Sequence, residues 1–202
     1  RLLDGKAAVG VSYQPKLWMR KFHKYAGLFP DQGDLDTPPQ FAAGVAVEVL
    51  PSVTVAADYV RINYSGVKGA SNPLSRLTQE GNLFGSDNGP GFGWNDIDVF
   101  KWGVQYEASP EWTVRMGWNH GENPIEGSEV SLNILAPGVS QDHLTAGFTW
   151  KAGKERNHEV SLVYYHAFHT SVTGPLPAGF GGGTGYASTA LHAVEVGYGW
   201  RF

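Results

Sequence analysis

The carboxyl-terminal stretch Thr189 to Phe202, TALHAVEVGYGWRF, alternates with a period of two residues. Val194, Val196, Tyr198, Trp200 and Phe202 fall on one parity, and Glu195, Gly197, Gly199 and Arg201 on the other. Successive side chains of a strand point to opposite faces, so this is a strand with one apolar and one polar face. Three further segments repeat the pattern. Phe100, Trp102, Val104 and Tyr106 alternate with Lys101, Gly103, Gln105 and Glu107. Trp112, Val114, Met116 and Trp118 alternate with Thr113, Arg115, Gly117 and Asn119. Leu144, Ala146, Phe148 and Trp150 alternate with His143, Thr145, Gly147 and Thr149.

A soluble sandwich with its apolar face turned inward would alternate in the same way. Two features favour a membrane barrel instead. The polar face is rich in Gly and Thr, and charged residues make up only 17% of the chain, against roughly 25% in soluble domains. The apolar face is crowded with Trp and Tyr, whose greasy rings and polar tips suit a membrane–water interface. A last strand that ends on Phe202 also resembles the closing strand of a Gram-negative outer-membrane barrel.

Composition narrows the function classes. The formal charge of the 202 residues is −4, with no basic run, so a nucleic-acid partner has no electrostatic support. There is no cysteine, which fits an oxidising periplasmic and surface environment. No apolar run reaches the about 18 residues of a transmembrane helix, whereas barrel strands need only about 10 alternating residues each. The chain starts at Arg1 without a signal peptide and reads as a mature form or a fragment, one outer-membrane domain over 1–202.

Eight strands are predicted, near 6–19, 40–50, 53–65, 97–108, 111–121, 141–152, 157–169 and 189–202. In the first, Ala7, Val9, Val11 and Tyr13 face out and Lys6, Gly10, Ser12 and Gln14 face in. In the second, Phe41, Ala43, Val45, Val47 and Val49 face out and Glu48 faces in. In the third the phase moves from Val53, Val55, Ala57 and Tyr59 to Val60, Ile62 and Tyr64, and a β-bulge near Val60–Arg61 is expected to repair it. Connections at 51–52, 109–110 and 153–156 are short, and those at 20–39, 66–96, 122–140 and 170–188 are long. Bacterial barrels keep short turns periplasmic and long loops outside, which predicts both termini in the periplasm.

The segment LFGSDNGPGFGWNDIDVFKWGVQYEASPEWTVRMGWNHGENPI, Leu83 to Ile125, resembles the outer-membrane long-chain fatty-acid transporter family, FadL/TodX-like. NILAPGV at 133–139, YYHAFHTSVTGP at 164–175 and KFHKYAGLFPDQGDLD at 21–36 are similar to the same family in the same order. The resemblance implies a fourteen-stranded barrel plugged by an N-terminal hatch, of which these residues are the C-terminal eight strands. The family's hatch, early strands and kinked exit strand lie upstream. Of the two outside loops that build its capture groove, only the one at 20–39 belongs to this chain.

Several chemical readings remain to be weighed. His166 and His169, three apart in a strand, are expected on opposite faces, and His120 and His143 at outer strand ends where a ring is simply solvated. No Gly-x-Ser-x-Gly or His–Glu–x–x–His motif is present, so no catalytic centre and no cofactor or metal site is predicted. Lys101, Glu107, Arg115, Asp58, Glu48, Glu195 and Arg201 project from the polar face, and buried charges must be paired, so a mutually neutralising lumen network is expected. Asp31, Asp34 and Asp36 lack the remaining ligands of a calcium loop. GFGGGTG at 179–185 precedes no helix that could present its amides to phosphate and reads as an outer loop.

The candidate substrate site lies in the loop at 20–39. Tyr25, Leu28 and Phe29, together with Leu35, are apolar in an exposed segment, and such patches mark binding sites. Lys21 and Lys24 place positive charge beside them. Packing that merely folds the loop explains these residues equally well at this level. The function read from the whole is passive outer-membrane uptake of hydrophobic compounds, long-chain fatty acids or hydrocarbons. The alternatives are a structural eight-stranded barrel without a conduit or, lower, a barrel enzyme acting on lipid. The expected partners are outer-membrane lipid, a hydrophobic small molecule and the barrel assembly machinery, recruited by the C-terminal strand, with the protein monomeric.

Overall fold

The computed structural model describes residues 6–153 and 155–201. Eight strands form one antiparallel sheet in sequential order: β1 (Ala7–Gln14), β2 (Gln40–Leu50), β3 (Val53–Ile62), β4 (Ile97–Glu107), β5 (Trp112–Gly121), β6 (Asp142–Ala152), β7 (His158–Pro175) and β8 (Thr184–Trp200). Among the described residues nothing pairs with the free edge of β1 or β8, so the sheet is open. The closed eight-stranded barrel considered above is therefore not formed. Phe202 lies outside the described residues, and among those described no helix is long and apolar enough to cross a membrane.

The alternation becomes two surfaces of opposite character. Val11 is 68% exposed, Met116 53%, Trp102 50% and Val196 69%. A soluble sandwich would bury this face, since leaving each such side chain in water forgoes about 1.5–3 kcal/mol. Lipid removes that cost. The outward face also carries two aromatic belts. At one end Trp112 stacks on Trp150 at 5.9 Å, and His158 on Trp200 at 6.2 Å. At the other, Tyr59 meets Phe100 at 5.4 Å and Trp118 meets Phe168 at 5.3 Å. From Trp112 to Trp118 the strand climbs about 20 Å at ~3.3 Å per residue, a fair fraction of the apolar band that aromatic girdles flank in such barrels.

The inner face is built of small residues. Gly103 faces Gly117 in register, and Gly117 in turn faces Thr145. Charges on this wall do not form the expected neutralising network. Arg115 is held by neutral acceptors, donating to Gln105 at 2.8 Å and Thr149 at 2.9 Å. Arg201 pairs with Glu159 at 2.7 Å. Asp58 and Lys101 oppose each other across β3 and β4 without an ion pair, and Glu48, Glu107 and Glu195 have none among the described residues. An open, wet lumen wall leaves them solvated, so neutralisation is not forced.

Four local expectations are corrected. No bulge occurs at Val60–Arg61: pairing runs unbroken through Val60↔Val99, Arg61↔Asp98 and Ile62↔Ile97, and the only shift in β2–β3 lies at Glu48/Leu50. The apparent phase change arises because inward residues become apolar under the outer loops, where Ile97 and Val99 are buried. Outward, Arg61 pairs with Asp98 at 3.1 Å and Asp96 at 3.4 Å. The connection expected at 170–188 shrinks to 176–183, because β7 and β8 continue outward past a bulge between Ala167 and Thr170. That extra residue cancels one alternation, which returns His169 to the face of His166 instead of the opposite one. His143 is half-buried, its ring stacked on Tyr165 at 5.4 Å, unlike exposed His120, which bonds Asp142 at 2.7 Å.

The long connections gather at one end and fold into a cap. It carries most of the buried apolar residues described: Val67, Ala70, Leu74, Ile125, Val130, Leu132 and Val139. Ile125, Val139 and Ala187 pack together with Trp94 and Val172, joining the cap to the extended β7–β8 hairpin.

Candidate functional site

The loop between β1 and β2 is pinched at its base by paired backbone bonds between Leu17 and Thr37, at 3.0 and 3.1 Å. Asp36 fixes this neck: its buried carboxylate accepts the Met19 N–H at 2.7 Å and meets Lys16 Nζ at 2.9 Å. Burial opposes its ionisation, yet the bonds from Lys16, Met19 and Asp34 outweigh burial and hold the carboxyl below its usual range. Asp34 is pushed up, by burial and by Asp36 beside it. Among the described residues no group of three or more His, Cys, Asp or Glu could hold a metal ion.

Above the neck the chain forms a 3-10 turn at His23–Tyr25 and a tight turn at Pro30–Gly33. A hollow of about 210 Å³ opens between them, lined by Phe22, Tyr25, Leu28, Phe29 and Leu35. The rings are ordered against one another, Phe22–Tyr25 edge-on at 6.4 Å and Phe22–Phe29 at 6.1 Å. Tyr25, Leu28 and Phe29, predicted from sequence, are therefore brought together. Phe22 and Leu35 complete the lining.

The row of rings continues out of the loop. Phe29 meets Phe92 at 5.9 Å, Phe92 stacks on Trp94 at 5.4 Å, and Trp94 meets Tyr64 edge-on at 5.0 Å. A second apolar crevice of only about 10 Å³ lies behind Leu28 and Phe29, against Phe84, Phe92, Leu132 and Leu135. The loops at 63–96 and 122–141 supply this back wall. They are tied by buried Asn133, which accepts Trp94 Nε1–H at 2.6 Å and donates to the carbonyls of Phe92 at 2.6 Å and Glu129 at 2.8 Å. Glu129 accepts the Leu74 N–H at 2.8 Å and lies over Gly93, whose φ of +67° and lack of a side chain allow the contact. Burial pushes the Glu129 carboxyl up, an effect the bonds from Leu74 and Ser128 only partly offset.

The two lysines behave differently. Lys21 Nζ donates to the Asp31 carbonyl oxygen, so it is engaged within the loop. Lys24, next to Tyr25 in the chain, is exposed. Sequence reasoning missed Phe84, Phe92, Leu132 and the Asn133–Trp94 bond. Their signal was apolar residues in otherwise polar loops, which local packing explains as well.

A family model for outer membrane protein transport protein (OMPP1/FadL/TodX) matches residues 5–197. The chain belongs to this family, whose members are outer-membrane transport proteins rather than enzymes. Among solved structures, the P. putida toluene transporter TodX superposes with a TM-score of 0.62 at 16% identity, covering 100% of this chain and 47% of that one. The Ralstonia pickettii toluene transporter TbuX gives 0.55 at 18% identity over 98% and 44%. A Pseudomonas aeruginosa FadL homologue gives 0.61 at 12% identity over 96% and 48%. The chain thus spans about half the length of the structures it matches, and its open sheet corresponds to part of their barrel wall. No curated protein matches it.

Proposed function

We propose that this chain is the capture side of an outer-membrane barrel that takes up hydrophobic compounds passively, with both termini periplasmic and the cap outside the cell. The observation that carries the reading is the pocket of about 210 Å³ lined only by Phe22, Tyr25, Leu28, Phe29 and Leu35 on an outer loop. Its size suits a single ring or the end of an acyl chain, and the toluene transporters among its structural neighbours agree with such a ligand. Each buried methylene contributes about 0.8 kcal/mol, and association costs an estimated 4 kcal/mol or more. Capture is therefore weak, as a site that must hand its ligand on requires. Exposed Lys24 is the cation offered to an anionic head group, while Lys21 acts mainly on the loop itself.

Passage needs no cofactor. Below the cap the wall offers shallow concavities of about 530 and 540 Å³ lined mainly by Gly, Ala, Val and Thr, with Asp58, Lys101 and Arg115 as their charged residues. Insertion relies on assembly machinery reading the C-terminal strand. The test is ligand binding by the full-length protein carrying Leu28→Asp with Phe29→Asp. Weakened oleate and toluene binding in the folded double mutant is the expected result. Unchanged affinity for both would remove the loop from the capture step.

A further inference from the structure

The aromatic belt at the cap end of the wall contains a pair of histidines. His166 of β7 opposes Leu144 on one side and His192 of β8 on the other, in the row that includes outward-facing Trp118. The two imidazoles stack at 4.3 Å, and the His166 ring meets Phe168 edge-on at 4.4 Å. Phe168 is itself the partner of Trp118 in the belt. His158 of the opposite belt lies on the same strand, from which His166 is separated by about 26 Å of chain at ~3.3 Å per residue. Even with the tilt of a barrel strand, that crosses most of an apolar band about 25 Å tall. The pair therefore stands at the depth of lipid head groups.

The contacts of the two rings fix where their protons sit. His166 Nδ1 is enclosed and has no hydrogen-bond partner. An N–H there would be stranded, so the neutral ring carries its proton on Nε2. Tyr164 Oη lies 2.7 Å from His192 Nδ1. The phenol is the stronger acid and donates, which puts the His192 proton on Nε2 as well. Nε2 belongs to the end of an imidazole remote from the backbone, and both side chains leave the sheet on its lipid face. Two N–H donors thus stand side by side at head-group depth, and among the described residues neither has an acceptor.

Charge singles out this sector of the rim. On β4 and β6 the outward rim carries carboxylates, Asp98 bonded to Tyr59 and Arg61, and Asp142 bonded to His120. The β7–β8 hairpin, 158–200, has only Glu159 and Glu195 as acids, and both fall on the opposite, lumen-facing parity. An anion approaching the outward face of the hairpin meets donors and no carboxylate. We propose that His166 and His192, with Tyr164 setting the His192 tautomer, form a seat for the phosphate of an outer-leaflet lipid. Its acyl chains lie down the same face over Leu162, Val194 and Val196, all exposed. The lipid is a partner of the wall and not the cargo, so the seat works independently of the capture loop. Its place in the outer leaflet rests on the orientation proposed above, whereas its dependence on phosphate does not.

The test titrates the full-length protein, stripped of lipid in detergent, with lipid A that carries both phosphates or none, and reads bound lipid by native mass spectrometry. His166→Leu with His192→Leu weakens binding of the phosphorylated form by roughly tenfold, as the loss of bonds to a charged group requires. Binding of the dephosphorylated form stays as it was. His166→Arg with His192→Leu restores the phosphorylated form, because a guanidinium offers several donors to a phosphate. His158→Leu, in the opposite belt, changes neither. Leucine suits a lipid face, and heat-dependent mobility in a denaturing gel checks that each variant is folded. Equal affinity of the wild type and the double leucine variant for phosphorylated lipid A would overturn the seat. So would an equal loss for both forms of lipid A, or a loss that arginine does not restore, since ring packing would then account for it. Oleate binding at the outer loop is expected to stay constant throughout, so failure of the seat is distinguishable from failure of the capture reading.

Discussion

The wall and the cap of this molecule solve the burial problem in opposite ways. In the wall, large apolar side chains point outward, where Val11 and Val196 are about two-thirds exposed, and the inside is Gly, Ala and Thr. In the cap, Val67, Val130 and Val139 are buried, and Asn133 bonds the Trp94 Nε1–H and the carbonyls of Phe92 and Glu129. The wall's apolar surface is satisfied by lipid and its backbone by strand pairing, so it tolerates a plain, repetitive sequence. The cap has no ladder to rely on. It needs particular side chains such as Asn133 and Glu129 to satisfy loop backbone buried from water. A substitution should therefore act on one region and spare the other.

The largest effect expected is at Asn133. Asn133→Ala leaves Trp94 Nε1–H and the carbonyls of Phe92 and Glu129 without their partner, at about 1–3 kcal/mol for each buried group stranded. A loss of about 3–5 kcal/mol in local cap stability should appear as faster hydrogen exchange and proteolysis in 64–96 and 122–141. The sheet's own unfolding should not move. A matching loss in the barrel transition would show that cap and wall form one cooperative unit.

The converse experiment charges the wall. Val104→Arg on the outward face should cost roughly 2–4 kcal/mol at mid-membrane depth, whereas Thr145→Arg on the inner face should cost much less. Equal penalties in reversible unfolding from lipid or detergent would mean that the outward face is not the lipid face.

Much of the wall was legible because a period of two leaves a mark in every residue. Strands β2, β4, β5 and β6 fall within a residue or so of where the alternation places them. Legibility failed where parity changes its meaning. At Val60 and Ile62 the inside turns apolar because loops cover it, and the Ala167/Thr170 bulge reverses parity without a signature in the residues. The cap was opaque for a different reason. Trp94 and Asn133 lie far apart in sequence with no periodicity to link them. Tyr25, Leu28 and Phe29 could be found since three greasy residues stand out in an exposed segment. The role of Lys21 could not, because its partner is a backbone carbonyl that every residue possesses.

Within the cap, two carboxylates should answer pH in opposite directions. Asp36 is held below its usual range by Lys16 and Met19 in spite of burial. A depressed carboxyl contributes stability above its unfolded value, near 3.9, that is lost as pH falls through the folded value. Acidification should therefore loosen the neck of loop 15–39, seen as exchange of the Leu17 and Thr37 amides. Asp36→Asn should abolish the dependence and cost about 1.5–3 kcal/mol at neutral pH, the usual worth of bonds to a charged group.

The smallest effect, and the sharpest test of the cap as a buried polar clasp, concerns Glu129. Its carboxyl is raised by burial, with the Leu74 N–H and Ser128 only partly compensating. A raised carboxyl contributes stability that is complete below the unfolded value, near 4.3, and is lost as pH rises through the folded one. The clasp should thus tighten on acidification while the Asp36 neck loosens. Glu129→Gln keeps an acceptor for the Leu74 N–H without a charge to desolvate, and should raise local stability at neutral pH by under about 1 kcal/mol. Amide exchange at Leu74, followed from pH 4 upward in the wild type and the variant, separates the two views. If the variant exchanges faster than the wild type at neutral pH, the ionised carboxylate is what holds the loops together, and the cap depends on a buried charge after all.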